Sequence, residues 1–133
     1  MRHRISGYKL GRKSGSRKAL FRNLVTECLK RGKVRTTYAK AKAVQPKLEK
    51  MISLSRKGTL SHRRRASEFI TDNQVLDDLF SVISKKFETR SSGFTRIIKL
   101  GHRKGDSTLM VELSILQDMT SELTSEEQKQ DDQ

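Results

Sequence analysis

The first eighteen residues, MRHRISGYKLGRKSGSRK, most limit what this chain can become. They hold seven Lys or Arg (Arg2, Arg4, Lys9, Arg12, Lys13, Arg17, Lys18), three glycines and no acid. Such a stretch cannot bury enough apolar surface to fold by itself, so it needs a polyanion to order it. A membrane surface fits poorly: Ile5, Tyr8 and Leu10 form no amphipathic face, and Gly7, Gly11 and Gly15 disfavour a helix. Nucleic acid fits well.

Charge along the rest of the 133 residues sharpens this reading. Residues 1–42 carry fourteen Lys and Arg against one acid, residues 43–106 fourteen against seven, and residues 107–133 one against seven. A net charge of +14 on a chain of this size repels itself unless phosphate or another anion offsets it. The length suits one domain with tails: a basic arm over 1–15, a globular unit over 16–116 and an acidic, disordered tail over 117–133. The single cysteine cannot form an internal disulfide, which favours a reducing, intracellular setting. No apolar run approaches the ~18 residues of a membrane span.

Hydrophobic spacing then sets an α+β order. Leu20, Phe21, Leu24, Val25, Cys28 and Leu29 recur as pairs four apart, predicting a helix over 16–31 capped by Ser16 and ended by Gly32. On its flank Lys18, Arg22, Thr26 and Lys30 line one edge. Lys33 to Thr37 reads as a short strand, and Thr36 or Thr37 can cap a second helix with the stripe Ala41, Val44, Leu48, Met51 and Ile52, ending at Gly58. Pro46 inside that helix implies either a kink or two shorter helices, and the kink is the reading adopted. A short helix follows over 59–70, with Ala66, Phe69 and Ile70 inward and Arg63, Arg64 and Arg65 splayed about 100° apart. Asp72 opens a further helix carrying Val75, Leu76, Leu79, Phe80, Ile83 and Phe87. Residues 88–94 read as loop. From Thr95 the period becomes two: Arg96 to Leu100 pairs with a strand whose inward residues are Leu109, Val111, Leu113 and Ile115, across a basic tip at 101–107.

Catalytic and cofactor chemistry find no foothold. The one Gly-Lys pair, Gly32-Lys33, is followed by Val34 and preceded by Glu27 where a phosphate loop needs glycine. Cys28 lies on an apolar helical face, a core position rather than a nucleophile's. His3, His62 and His102 sit in separate segments among cations, which argues against a metal site. Carboxylates cluster only near Asp72 to Asp78 and in the tail, without a pocket. The reading is therefore not an enzyme, with no catalytic, cofactor or metal residues, no small-molecule substrate and no membrane. Zinc-finger spacing, basic-zipper heptads and the aromatic strand motif of single-strand RNA readers are all missing, which leaves recognition of phosphate and shape, as structured RNA offers.

Three groups of residues carry a resemblance. Met1-Arg2-His3-Arg4 with Gly7, Lys9-Leu10, Arg17-Lys18-Ala19 and Phe21-Arg22-Asn23-Leu24 is the first; Thr36-Thr37 with Ala39-Lys40-Ala41-Lys42 is the second; Thr95-Arg96-Ile97 with Lys99, Gly101, Arg103 and Gly105-Asp106 is the third. In this order and spacing, over residues 1–115, the chain resembles the bacterial large-subunit (50S) ribosomal protein L17 family. It departs from that family's usual pattern at Ile5, Ser16 and the acidic tail. The resemblance implies helix, strand, three helices and a terminal β-hairpin, with a small mixed sheet packed against the helices. It further implies a cytoplasmic, structural role in the large ribosomal subunit, bound to 23S ribosomal RNA near the mouth of the peptide exit tunnel beside neighbouring large-subunit proteins. The competing reading is a free nucleoid-type DNA-binding protein. The residues expected to touch RNA are Arg2, His3, Arg4, Lys9, Arg12, Lys13, Arg17, Lys18, Arg22, Lys40, Arg63, Arg64, Arg96, Arg103 and Lys104.

Overall fold

A computed structural model describes His3 and residues 7–116. Arg2 and Arg4 among the expected contacts, and the tail over 117–133, lie outside the described residues.

Regular structure starts where the glycines of the arm give way to the paired apolar residues. Helix α1 (Ser14–Arg31) buries Phe21, Val25, Cys28 and Leu29. It begins two residues before the expected start, with Lys13 at the N-cap and no side chain capping it, so Ser16 falls inside the first turn. Gly32 closes it at φ 82°, a left-handed conformation suited to glycine, and its N–H donates to the Cys28 carbonyl at 2.8 Å. Strand β1 (Lys33–Thr37) leads directly into α2 (Tyr38–Lys57), with Thr37 at the N-cap position but its hydroxyl making no cap hydrogen bond.

Pro46 does not divide α2. The ring faces solvent, and the carbonyl it deprives of a donor belongs to exposed Lys42, where water can replace the lost bond. On the opposite side Ala41, Val44, Leu48 and Ile52 are fully enclosed, so packing holds the helix together across the proline. Helix α3 (Leu60–Phe69) is capped by the Thr59 hydroxyl, which accepts from the His62 N–H. Helix α4 (Asn73–Asp78) is capped by the Asp72 carboxylate, which accepts from the Gln74 N–H at 2.9 Å.

From α4 the backbone stays helical through a π segment, Leu79–Ile83, into a last short turn, α5 (Ser84–Lys86). The wider π turn takes up one extra residue. Leu79, Ile83 and Phe87 face the core through this turn, as their spacing of four predicts, while Val82 and Lys86 face solvent. The loop after it contributes to the core as well: Phe94, read from the sequence as loop only, is buried edge-on against Phe87 with ring centroids 5.1 Å apart.

The hairpin consists of β2 (Thr95–His102) and β3 (Leu109–Ile115), and β1 adds to its other side in the order β1-β3-β2. The sheet is antiparallel throughout, not mixed. β3 turns back from β2 and also runs against β1, so the two strands that point the same way never pair. A bulge between Lys99 and Gly101 lets β2 continue to His102, and the tip is correspondingly shorter than the 101–107 expected from sequence. Register alternation sends Val111 and Leu113 into the core and leaves Ile98 and Leu100 on the surface.

Three side chains bond the helices to the sheet: Cys28 of α1, and Gln45 and Glu49 of α2, the Gln45 amide donating to the Thr95 hydroxyl at 3.2 Å. The buried Cys28 thiol lies 3.7 Å from the Leu113 carbonyl, and burial pushes its pKa up to about 12, so it stays protonated and inert. Glu49 of α2 accepts the Phe94 N–H at 3.2 Å, the Thr95 N–H at 3.1 Å and the Thr95 hydroxyl at 2.6 Å, which fixes where β2 begins. Replacing Glu49 with alanine strands two partly buried N–H groups and should lower unfolding free energy by about 2 kcal/mol. Urea denaturation checks this, with Glu49→Gln expected to lose less because it keeps one acceptor oxygen.

Candidate nucleic-acid interface

The end of the arm is bent onto the start of α1 by a tight turn. The Arg12 N–H donates to the Lys9 carbonyl at 3.2 Å, with Leu10 at φ 55° and Gly11 at φ 64°. Two consecutive positive φ values are natural for glycine and unfavourable for leucine. Leu10 holds the conformation by packing its side chain against the core. The guanidinium of Arg12 donates to the Leu10 carbonyl at 3.0 Å, and that of Arg17 to the Arg12 carbonyl at 3.3 Å, which ties the turn to the helix.

This turn closes one side of a groove of about 660 Å³ whose other walls are α1 and α2. Tyr8 and Lys9 come from the arm, Arg17 and Phe21 from α1, and Lys42, Pro46 and Lys47 from α2; no acid lines it. The Lys47 ammonium lies 5.1 Å from the centre of the Phe21 ring, so its stem covers apolar surface while its charge points to solvent. Beyond Lys42 the positive surface continues. The Tyr38 ring has the Lys42 ammonium at 5.7 Å and the Lys99 ammonium of β2 at 5.8 Å. Like charges held around one ring repel, and an anion between them relieves the repulsion. The Tyr8 ring is 51% exposed at the mouth of the groove, where a base could stack on it. A row of ammonium groups without carboxylates, beside an exposed aromatic ring, is chemically a phosphate-and-base surface.

Of the residues expected from sequence, Lys9 and Arg17 enter this groove. His3, Lys13 and Lys18 are exposed near it in the chain, and Lys40 is half-buried in the first turn of α2. The remainder sit elsewhere, several with protein partners. Arg22 donates its Nε to the Phe69 carbonyl at 3.0 Å, and Thr26 is buried with its hydroxyl donating to the Arg22 carbonyl at 2.8 Å, so the expected basic edge of α1 is interrupted. Arg63 is paired with Asp77 and lies over the Phe80 ring, while Arg64 is exposed. Arg96 is exposed on the sheet opposite Ser114. At the tip Arg103 holds Asp106 at 2.6 Å, and that hydrogen bond keeps the carboxyl well below the usual range; Lys104 stays exposed. Lys42, Lys47 and Lys99 are absent from the expected set. Lys42 and Lys47 flank Pro46 on the side of α2 away from its apolar stripe, a signal present in the sequence.

Fold and surface together define a small α+β protein with a basic groove between the arm, α1 and α2 that no carboxylate lines. Comparison with known proteins gives the family. The family model described as Ribosomal protein L17 matches residues 20–116. The chain is 44% identical over 118 residues to the large ribosomal subunit protein bL17 of Desulforapulum autotrophicum, covering 89% of this chain and 98% of that one. It is 47% identical over 111 residues to the protein of the same name from a Thermoanaerobacter species, covering 83% and 99%. A third relative of that name, from Koribacter versatilis, is 44% identical over 106 residues, which is 80% of this chain and 66% of the relative. The chain belongs to the ribosomal protein L17 family.

Counterion release supplies a quantitative test of the groove. Lys42→Ala with Lys47→Ala should flatten the slope of log affinity against log salt for structured RNA by about 0.7 to 0.9 for each phosphate left without its lysine. The melting temperature of the free protein should fall only slightly, because neither ammonium has an ion-pair partner among the described residues and the loss is confined to the Lys47 stem over Phe21 and the Lys42 cation near Tyr38. An unchanged slope would mean that the groove does not meet phosphate.

Proposed function

We propose that this chain is a structural constituent of the cytoplasmic large ribosomal subunit and binds ribosomal RNA through the groove between the arm, α1 and α2. The observation that carries the reading is the acid-free lining of that groove by Lys9, Arg17, Lys42 and Lys47 in a member of the L17 family. The RNA is the 23S molecule near the exit tunnel, and neighbouring large-subunit proteins adjoin the chain, as in the family it belongs to. The residues before α1 act as the arm that RNA orders, and the segment 117–133 stays away from phosphate because of its charge. The protein works by binding and not by catalysis: it offsets phosphate repulsion and holds RNA segments in place.

The role differs from that of a free DNA-binding protein in where the chain travels. Sedimented at moderate salt from cells, the native protein should co-migrate with the large subunit and remain there after DNase treatment. Recovery mainly with DNA, and release by DNase, would overturn the proposal.

A further inference from the structure

The sheet has two outer strands, β1 and β2, and the fold treats their free edges differently. On β2 the Thr95 N–H, which points away from β3, is taken by the Glu49 carboxylate at 3.1 Å, and Gln45 donates to the Thr95 hydroxyl, so α2 covers the start of that edge. On β1 the hydrogen bond from the Ile115 N–H to the Gly32 carbonyl sets the alternation. Val34 and Thr36 then turn their N–H and C=O groups to β3, and Lys33 and Arg35 turn theirs away from it. Four backbone groups are left that β3 cannot reach, and no turn, loop or cap among the described residues supplies them with a partner.

This open edge borders a groove of about 720 Å³ whose opposite wall is α1. Leu20 and Leu24 of α1 and Val34 of β1 form its apolar lining, all three half-buried. Its charges are largely matched to each other: Arg31 holds Glu27 at 3.0 Å and Arg35 reaches Glu112 at 3.6 Å, which leaves Lys33 without an ion pair among the described residues. The groove shares no lining residue with the acid-free one beside the arm. Apolar side chains beneath an unpaired strand edge suit polypeptide, whose N–H and C=O groups match those of the edge, better than phosphate.

We propose that β1 accepts a fourth strand from a partner protein, an extended segment that reads acid, apolar, acid. Paired antiparallel, as all strands of this sheet are, the partner residues opposite Lys33 and Arg35 exchange both N–H and C=O bonds with them and point their side chains to the same outer face. Those two positions call for carboxylates. The residue between them lies beside Val34 and faces Leu20 and Leu24, so it is apolar. The same two cations exclude a second copy of this chain, because β1 paired with itself about Val34 sets Lys33 against Arg35 twice. Backbone pairing over so short an edge cannot choose among partners, and the two cations supply the choice.

The peptide Glu-Val-Glu-Val-Glu, blocked at both ends, tests this by nuclear magnetic resonance on the full, unaltered chain. Its addition should shift the amide signals of Lys33 and Arg35 most and slow their hydrogen exchange. Methylating the glutamate nitrogens, which face β1, should abolish these shifts, whereas methylating the valine nitrogens, which face away, should leave them. Lysine in place of glutamate should weaken binding about tenfold, because like charges then oppose Lys33 and Arg35. Unmoved Lys33 and Arg35 signals at millimolar peptide would overturn the proposal, as would binding that tolerates methylated glutamate nitrogens. Shifts confined to Lys42 and Lys47 would make the peptide a polyanion in the basic groove, and concentration-dependent shifts at Lys33 without peptide would make the occupant a second copy. Displacement of the bound peptide by structured RNA would assign the edge to RNA. Each of these contradicts a partner strand at β1. Only the last arm involves RNA, so a failure of the basic groove to bind RNA leaves the other arms intact.

Discussion

Burial of one side of α2 is the constraint from which the rest of the structure follows. Ala41, Val44, Leu48 and Ile52 are fully enclosed, and Met51 and Leu54 nearly so. At roughly 1.5 to 3 kcal/mol for each large apolar side chain buried, this row supplies much of the hydrophobic stabilisation available to a chain with few aromatics. α1, α3, the π segment and all three strands pack against it. Because that face is committed, the opposite one is exposed around Pro46, and Lys42 and Lys47 project there. The core that stabilises the fold and the lysines of the basic groove are two sides of one helix.

The cations divide by chemistry. Every ion pair among the described residues uses arginine: Arg31 with Glu27, Arg35 with Glu112, Arg63 with Asp77 and Arg103 with Asp106. Arginine also satisfies backbone carbonyls, as when Arg56 donates to the Phe87 carbonyl at 2.9 Å and Arg22 to that of Phe69. A planar guanidinium with five donors can bond the protein and still present charge, whereas an ammonium is better suited to a mobile, hydrated contact. Lysines accordingly dominate the groove and the Tyr38 ring. Of the arginines expected at phosphate, Arg22, Arg63 and Arg103 also hold protein partners.

Element order is legible in the sequence because period and punctuation agree. Gly32 and Gly58 stop helices where the apolar repeat stops, Asp72 starts one, and the change to period two at Thr95 marks the hairpin. The misses have physical causes. Ser16 has the chemistry of a cap, yet nothing prevents the backbone from becoming helical two residues earlier. The π turn is invisible to a repeat-based reading, since Ile83 and Phe87 follow Leu79 at the four- and eight-residue spacing of a regular helix. Phe94 reads as loop because burial, not local pattern, assigns it to the core. Strand direction in a sheet closed by β1 depends on a contact between distant segments, which spacing along the chain does not encode. For the groove, the arm's charge is plain in the sequence, but its wall on α2 requires the tertiary packing of α1 against α2.

Lysine footprinting tests most directly whether the surface of α2 opposite the core is the RNA contact. The free protein and the assembled large subunit are acetylated under the same brief exposure, and the modification at each lysine is read by mass spectrometry. Lys9, Lys42, Lys47 and Lys99 should be reactive in the free protein and protected in the subunit. Equal reactivity of Lys42 and Lys47 in both states would contradict the account.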